Sequence, residues 1–118
     1  MAFAPRPIKA TIDQATLAAV DIRVGAILAA EDVPRSRRLV RLIVDFGDHR
    51  RTSLVGMKGQ RDLSALLGRQ ALFVVNLTPK PMAGGTSEAM LLDIGHLDGL
   101  EPVLAIPEAE APNGASAG

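Results

Sequence analysis

The sequence predicts an all-β fold, a small barrel that forms a single domain. Its apolar residues recur at every second position in several short runs, which is the period of a strand with one buried face. Glycine or proline interrupts these runs at short intervals, as in folds made of many short strands. The chain has 118 residues, of which 47% are apolar and 22% are charged, enough for one modest core. With three Phe and no Tyr or Trp, that core must consist mainly of Val, Leu, Ile and Ala.

The first predicted elements are a short helix and a strand. In "TIDQATLAAV", Asp13 is a typical helix N-cap and is followed by good helix formers, so we expect a helix of one or two turns. The strand is "DIRVGAILAA", in which Gly25 indicates a bulge or a tight bend. One face of this strand is predicted to carry Ile22, Val24, Ala26 and Leu28.

Two more strands and a second helix follow a polar loop, "EDVPRSRR". In the strand "LVRLIVDFG", Arg41 and Asp45 lie on the polar face and Gly47 ends the run. The segment "DHR" turns the chain into the next strand, "RTSLVG". After it, "GQRDLSALLG" has the pattern of a short helix that ends at Gly68. The apolar face of the first of these strands is predicted to consist of Val40, Leu42, Val44 and Phe46.

The remaining strands complete a recognisable order. The run "QALFVVNL" is nearly all apolar and should be the most buried strand, "SEAMLLDIG" is the fifth strand, and "PVLAI" is a short extra strand. Three strands, a short helix and two more strands are the order of an OB-fold, a five-stranded Greek-key barrel. Here a short N-terminal helix precedes it. We expect this domain to cover residues 11–107, between a flexible N-terminus (1–10) and a flexible tail (108–118).

The charges are segregated along the chain, although the formal net charge is zero. Residues 35–80 contain ten basic and three acidic residues, a net charge of +7, whereas residues 81–118 contain six acidic residues and no Lys or Arg. Such segregation can give a neutral protein a basic face that attracts polyanions. The alternative is that the fold mixes the segments in space and the field averages out.

Several other classes of protein and site are not indicated. The absence of cysteine excludes disulfides and thiolate metal sites, and the first residues lack the apolar segment of a signal peptide, so we expect a cytoplasmic protein with no membrane segment. No nucleophile elbow, P-loop or paired-carboxylate pattern is present, which predicts a protein that is not an enzyme and needs no cofactor. His96 lies between Asp93 and Asp98, but "DIGHLDG" is also an ordinary turn, so we expect no metal there.

Two segments have features of a ligand-binding loop. In an OB-fold, the connection between strands four and five, here "NLTPKPMAGGTSEAM", borders the ligand face. Its prolines stiffen the backbone and its glycines permit close approach of a ligand. The segment "GMKG" has the spacing of a KH-domain loop but follows a strand rather than joining two helices, so Lys58 is only a candidate phosphate contact. Groups suited to a nucleic acid or a peptide in the connection are those of Asn76, Lys80, Met82, Ser87 and Met90.

Four blocks of the sequence resemble the signature of the tRNA-binding domain family: "DIRVG", "DFG", "NLTPKPMAG" and "SEAMLL", in that order. This family includes the C-terminal domains of methionyl-tRNA synthetases and stand-alone CsaA-like proteins described as export-related chaperones. The similarity covers residues 12–114, and the chain is most similar to the stand-alone CsaA-like branch. The resemblance implies paired barrels, that is, a homodimer. It also implies tRNA contacts at Asn76, Lys80, Met82, Ser87, Glu88 and Met90.

Each of these positions also has a purely structural interpretation. Met90 could belong to the core, Glu88 could pair with an arginine across the sheet, Lys80 could be a solvated charge, and Asn76 could form a turn. Two functions therefore remain open. The first is a non-catalytic protein that binds tRNA or another structured RNA in trans. The alternative is a CsaA-like chaperone that binds unfolded or exported polypeptides through the apolar part of the same connection.

Overall fold

The computed structural model describes residues 2–118 and confirms the all-β class, since antiparallel strands dominate the fold and the α-helix is a single short one. The α-helix, α1, spans Gln14–Ala18, and short 3-10 helices span Leu63–Leu66 and His96–Asp98. The strands are β1 (Ile22–Asp32), β2 (Val40–Asp45), β3 (Arg50–Val55), β4 (Gln70–Val74), β5 (Lys80–Met82), β6 (Gly85–Ser87), β7 (Met90–Leu91), β8 (Asp93–Ile94), β9 (Val103–Leu104) and β10 (Ser116–Ala117).

The main sheet curls around β1, the longest strand at 11 residues. Its strand order is β3-β2-β1-β4-β7, and β10 adds to the start of β1. The first half of β1 pairs with β4 and the second half pairs with β2, and the two ladders overlap at Ala26. Because one long strand belongs to two ladders, the sheet bends into a half-barrel whose concave side holds the core.

A bulge in β1 changes which side chains face the core. The register with β2 shifts between Ile27 and Ala29, so the alternation of faces reverses there. Ile27 is fully buried in the core, and a Cβ atom on Gly25 would also meet core side chains, whereas Leu28 is 40% exposed. The face predicted to carry Ile22, Val24, Ala26 and Leu28 is therefore not the core face of β1. The sequence predicts the bulge at Gly25, but it lies further along the strand, between Ile27 and Ala29.

The core is aliphatic around one aromatic pair, as the composition predicts. The alternation predicted for β2 is confirmed, because its even-numbered residues are all buried. Phe46 packs edge-to-face on Phe73, with ring centroids 5.5 Å apart. Other members of this main cluster are Ile27, Val40, Leu42, Val44, Met57, Leu66, Ala71, Ala89, Leu91 and Leu104.

Both predicted helices are present. Asp13 caps α1, because its Oδ1 accepts hydrogen bonds from the backbone N–H of Thr16 (2.8 Å) and from the Thr16 hydroxyl (2.6 Å). The helix between β3 and β4 is a single 3-10 turn, and it buries Leu66 in the main cluster. Gly68, in the left-handed region with a φ of 80°, follows it.

The predicted fifth strand is divided in two. Within "SEAMLLDIG", β7 pairs with β4, but β8 pairs with β9 in a separate small sheet. The division occurs at Leu92, whose N–H donates to Leu72 O (2.9 Å) while its own carbonyl accepts from Ala105 N–H (3.1 Å). The chain leaves the edge of β4 here because the N–H of Leu72 in β4 donates to Ala105 O, in the segment after β9.

The C-terminal segment differs from the flexible tail that its composition predicts. Strand β10 pairs with Ile22 and Arg23, and Gly114 N–H donates to Val24 O (2.7 Å). The Gln70 side-chain amide also bonds to the backbone of Ala111. Residues 111–117 therefore extend the edge of β1, where their backbone groups find partners that the sequence does not indicate. Among residues 2–118, no helix is long and apolar enough to cross a membrane.

Candidate functional site

A groove of about 560 Å³ lies beside the connection between β4 and β7. Its walls are the end of β3, the β5–β6 hairpin, β7 and the second 3-10 helix, and the walls are mainly apolar. Its lining includes Arg38, Leu54, Met57, Arg61, Leu77, Lys80, Met82, Ser87, Glu88, Met90, Asp93, His96, Leu97 and Leu104.

The connection itself folds into a β-hairpin. Strand β5 pairs with β6 in the register Lys80 to Ser87, and Ala83 and Gly84 form the turn. Gly84 and Gly85 have φ angles of 98° and 131°, which favour glycine, so the glycine pair is required by this tight reversal. The hairpin presents Lys80 beside the groove with its side chain exposed.

A second, smaller apolar cluster seats the hairpin on the sheet. Met82 packs against Val33, Leu39 and Leu54. A Cβ atom on Gly84 would lie 2.5 Å from Val33 Cγ1, so the turn fits closely on the loop between β1 and β2. These contacts fix the position of one wall of the groove.

Arg41 also holds the hairpin in place through a hydrogen bond. Its Nη2 donates to Gly84 O (2.7 Å), and its Nη1 donates to Glu31 Oε1 (2.8 Å). The guanidinium is therefore held by an ion pair on β1 while it bonds the tip of the turn. The sequence places Arg41 on the polar face of its strand, but nothing in the sequence shows that the hairpin folds back over β2.

Five of the seven residues predicted as ligand contacts line this groove: Lys80, Met82, Ser87, Glu88 and Met90. Met90 is 47% exposed, so it contributes surface rather than core. Met82 is half-buried because its side chain also belongs to the cluster under the hairpin. Methionine side chains are flexible and polarizable, so two of them give the groove an adaptable apolar wall.

Ser87 and Glu88 also join β3 to the segment before β7. The Ser87 hydroxyl accepts from Leu54 N–H (3.1 Å) and donates to Ala89 O (3.2 Å). Glu88 N–H donates to Thr52 O (2.8 Å), and Glu88 Oε1 accepts from Thr52 N–H (3.3 Å). The Glu88 carboxylate thus bonds to backbone rather than to the arginine considered from the sequence. These side chains close one side of the half-barrel, and their role as ligand contacts stays a prediction.

Asn76 and Lys58 lie outside the groove lining and have partners within the protein. Asn76 Oδ1 accepts from Asp21 N–H (2.8 Å), and its Nδ2 donates to Ala19 O (2.6 Å), which ties the end of α1 to β4. Lys58 Nζ donates to the carbonyl oxygens of Val33 (3.0 Å) and Ser36 (2.7 Å). Their predicted contacts with a ligand stay predictions, and each would compete with these hydrogen bonds.

The rim of the groove carries three cations: Arg38, Arg61 and Lys80. In the described residues the ion pairs are those of Arg23, Arg41 and His49, so the rim cations have no acidic partner within 4.0 Å. The acidic side chains in the lining are Glu88 and Asp93.

Sequence reasoning missed two of these rim cations and one apolar wall. The basic segment 35–80 is a signal that contains Arg38 and Arg61, but no sequence pattern brings Leu97 to the same groove. His96 N–H donates to Asp93 Oδ1 (3.2 Å), as in an ordinary turn. Within residues 2–118, no three His, Asp or Glu side chains are placed to share a metal ion.

Comparison with known proteins identifies relatives of this chain. Residues 22–116 match the family model described as "Putative tRNA binding domain". A methionine–tRNA ligase of Methanocaldococcus jannaschii is 40% identical over 81 residues, which are 69% of this chain and 12% of the ligase. The chain therefore spans only a small part of such curated relatives.

Two solved structures match nearly the whole chain. The MetRS related protein from Pyrococcus horikoshii is 33% identical and superposes with a TM-score of 0.84, covering 92% of this chain and 99% of that one. The chaperone CsaA from Bacillus anthracis is 30% identical with a TM-score of 0.78, covering 92% of this chain and 100% of that one.

Proposed function

Since the chain belongs to the tRNA-binding domain family, we propose that it is a non-catalytic protein that binds tRNA in trans through the groove beside the β5–β6 hairpin. The observation that carries this proposal is the rim of unpaired cations, Arg38, Arg61 and Lys80, around an apolar groove. Cations at a rim suit phosphates, and an apolar floor suits an unstacked base. A tRNA partner also implies a cytoplasmic protein.

The contacts with RNA are electrostatic and polar rather than aromatic. No Phe, Tyr or Trp follows Phe73 in the sequence, so the hairpin itself offers no aromatic platform for base stacking, and His96 supplies an imidazole ring to the groove lining. Met82 and Met90 belong to the apolar surface available to a base. Affinity should therefore depend on the rim cations and on salt.

Replacing Lys80 by Ala tests the position of the site. We expect tRNA binding to weaken by roughly 1 kcal/mol and the salt dependence to fall by about one counterion. The matched control is Lys9→Ala, which removes the same charge from the exposed N-terminal segment. If the two changes weaken binding equally, Lys80 makes no specific contact with tRNA at the hairpin.

The alternative function is a chaperone that binds unfolded or exported polypeptides. The observation in its favour is the apolar character of the groove, whose walls include Leu77, Leu97, the half-buried Met82 and the exposed Met90. The likeness to the chaperone CsaA supports the same alternative. Apolar capture of a peptide should be almost independent of salt, which separates it from binding of RNA.

The proposed assembly is a homodimer. Exposed apolar side chains outside the groove lining are concentrated near the second 3-10 helix and β9, where Leu100 is 48% exposed and Val103 is 52% exposed. An apolar surface of this kind is typical of an interface, and a two-fold pair of chains could cover it. Two linked grooves would gain affinity for one RNA through effective concentration.

A further inference from the structure

We propose that Arg51 of β3 is a positioning residue for the tRNA site, which holds the two chain segments beside the groove in their binding arrangement without contacting the RNA. This inference rests on the proposed binding of tRNA. The Arg51 side chain is half-buried and lies outside the groove lining. Its effect on a ligand must therefore pass through the groups to which it is hydrogen-bonded.

A single nitrogen of Arg51 joins both ends of segment 76–87, which contains the β5–β6 hairpin. Its Nη1 donates to Val75 O (2.6 Å), directly before the segment, and to Glu88 O (3.1 Å), directly after it. Within residues 2–118, these are the only hydrogen bonds that the two carbonyl oxygens accept. Hydrogen bonds from a charged guanidinium are stronger than those between neutral groups, so Arg51 ties the two ends together firmly. We call Val75 and Glu88 the neck of the segment.

Both chain segments that leave the neck contribute to the groove. Leu77 and Lys80 follow Val75, and Met90 follows Glu88. The tip of the hairpin is seated on the sheet by its own contacts, so the neck is a second point that fixes the orientation of the hairpin. Because Lys80 lies between these two points, a loosened neck would let this rim cation move relative to the other rim cations.

Arg51 is itself held in place by a row of polar side chains. Its Nε donates to His49 Nε2 (2.9 Å), and His49 Nδ1 lies 2.6 Å from Asp48 Oδ1. With Nε2 as the acceptor, Nδ1 donates to the Asp48 carboxylate. The imidazole also stacks on Phe46 of the main cluster, with ring centroids 5.6 Å apart. The guanidinium is therefore fixed before any RNA binds, which reduces the entropy lost on binding.

A positioning role and a direct contact have different signatures in a binding experiment. If only a fraction of the molecules has the neck closed, the apparent dissociation constant rises in inverse proportion to that fraction. The salt slope instead counts the phosphates that the protein neutralises. Loss of Arg51 should therefore lower the affinity and leave the salt slope almost unchanged, whereas loss of Lys80 should lower both.

The test compares R51Q with R50Q, which remove the same charge from neighbouring residues of β3. Arg50 is exposed, and successive side chains of a strand point to opposite faces, so R50Q leaves the neck intact. R51K keeps the charge but loses the planar group that meets His49 and both carbonyls. Binding of fluorescently labelled tRNA is measured by anisotropy at several salt concentrations. Circular dichroism checks that the variants are folded, and amide hydrogen exchange is followed at Leu77 and Lys80.

We expect R51Q to weaken tRNA binding about tenfold at about 0.1 M salt, with a change of less than about 0.5 in the salt slope. R51K should weaken binding about threefold, since an amine restores only part of the hydrogen bonding. R50Q should stay within about twofold of the unmodified protein. The Leu77 and Lys80 amides should exchange faster in R51Q and R51K than in R50Q, because the neck opens more often.

Three outcomes would overturn the inference. If R51Q and R51K are folded and bind tRNA as R50Q does, the neck contacts are purely structural. If R51Q lowers the salt slope by about one, as Lys80→Ala should, Arg51 contacts a phosphate directly. The proposed function stands in both cases. If the unmodified protein does not bind tRNA, the proposed function is wrong and the positioning role fails with it. Should R51Q not fold, R51K decides between the first two outcomes.

Discussion

Individual residues decide how closely the strands of this half-barrel can pack. Gly25 lies in β1 where the ladders with β2 and β4 meet. A Cβ atom there would lie 2.5 Å from Val44 Cγ1 and 2.8 Å from Phe46 Cε1, both of which belong to buried core side chains. Glycine is required at this position because the β2 side chains occupy the space, and not because of a positive φ.

Replacing Gly25 by Ala should destabilise the protein by roughly 1–3 kcal/mol, because the core must shift to accept the methyl group. The control is Gly56→Ala, where no atom lies within 4 Å of the added Cβ, and we expect it to stay within about 0.5 kcal/mol of the unmodified protein. Urea unfolding measures both. Similar midpoints for the two variants would contradict this account of the packing.

The sequence predicts seven ligand contacts, and although five of these residues line the groove, their contacts with a ligand stay predictions. Lys80 and Met90 were predicted as ligand surface, and the structure places both on the groove. For Asn76 and Lys58 the residue type suggested ligand contacts, but each side chain bonds to backbone groups more than twenty positions away. Such partners depend on tertiary packing, so no local pattern could have revealed them.

Among the secondary-structure elements, α1 depends on its cap, because none of its residues is buried. The hydrogen bond from the Thr16 hydroxyl, and then that from the Thr16 backbone N–H, lower the pKa of Asp13 below its ordinary value of 3.8. A carboxyl group with a lowered folded-state pKa contributes stability above its unfolded pKa and loses that contribution as the pH falls through the folded pKa.

The helix should therefore fray in acid. We expect the Thr16 amide resonance, followed by NMR, to move toward its random-coil position as the pH falls below 3.8. Asp13→Asn should keep the helix and remove this pH dependence, since Asn is an equally good N-cap that does not titrate. Asp13→Ala should fray the helix at every pH. A Thr16 resonance that does not respond to pH in the unmodified protein would contradict the role of the cap.

The hairpin depends on how its turn fits against the β1–β2 loop. Gly84 and Gly85 both have positive φ angles, but only Gly84 lies against Val33. Gly84→Ala should cost roughly 1–3 kcal/mol for overpacking in addition to the backbone strain that both variants suffer. Amide hydrogen exchange across residues 80–87 should be faster in Gly84→Ala than in Gly85→Ala. Equal exchange rates would show that the hairpin does not rest on the loop.

The elements themselves were largely predictable, because period-two alternation and glycine breaks are local signals. The hairpin in residues 80–87 was missed, since two prolines and two glycines indicate a turn without indicating what pairs across it. The partners of β8 and β10 were missed for the same reason. A short edge strand is defined by its partner, and the partner of β10 lies near the other end of the chain.

At the scale of the whole molecule, the apolar surface around Leu100 and Val103 predicts a homodimer. Light scattering should give twice the monomer mass at micromolar concentration. Val103→Glu should give monomers, because a charge would be buried in the interface, whereas Leu67→Glu, at a site 51% exposed near the other 3-10 helix, should not. A monomer in the unmodified protein would refute the dimer and leave each groove to act alone.

The distribution of charge over the whole molecule bears directly on the proposed function. The sequence places +7 between residues 35 and 80, and the structure gathers three of these charges around one groove, with two more on the adjoining loop. The acidic segment after residue 80 contributes only Glu88 and Asp93 to the same lining. The segregation seen in the sequence is thus partly preserved in space, which the sequence could suggest but not establish.

The most direct test is a titration of the unmodified protein with tRNA and with an unfolded peptide, each at two salt concentrations. We predict that tRNA binds and that the logarithm of its association constant falls with the logarithm of the salt concentration, with a slope of at least about 2 in magnitude. The reason is that several rim cations would displace counterions from the RNA phosphates. Binding of the peptide should be weak and almost independent of salt. Tight, salt-independent capture of the peptide with no binding of tRNA would contradict the tRNA-binding account and favour the chaperone.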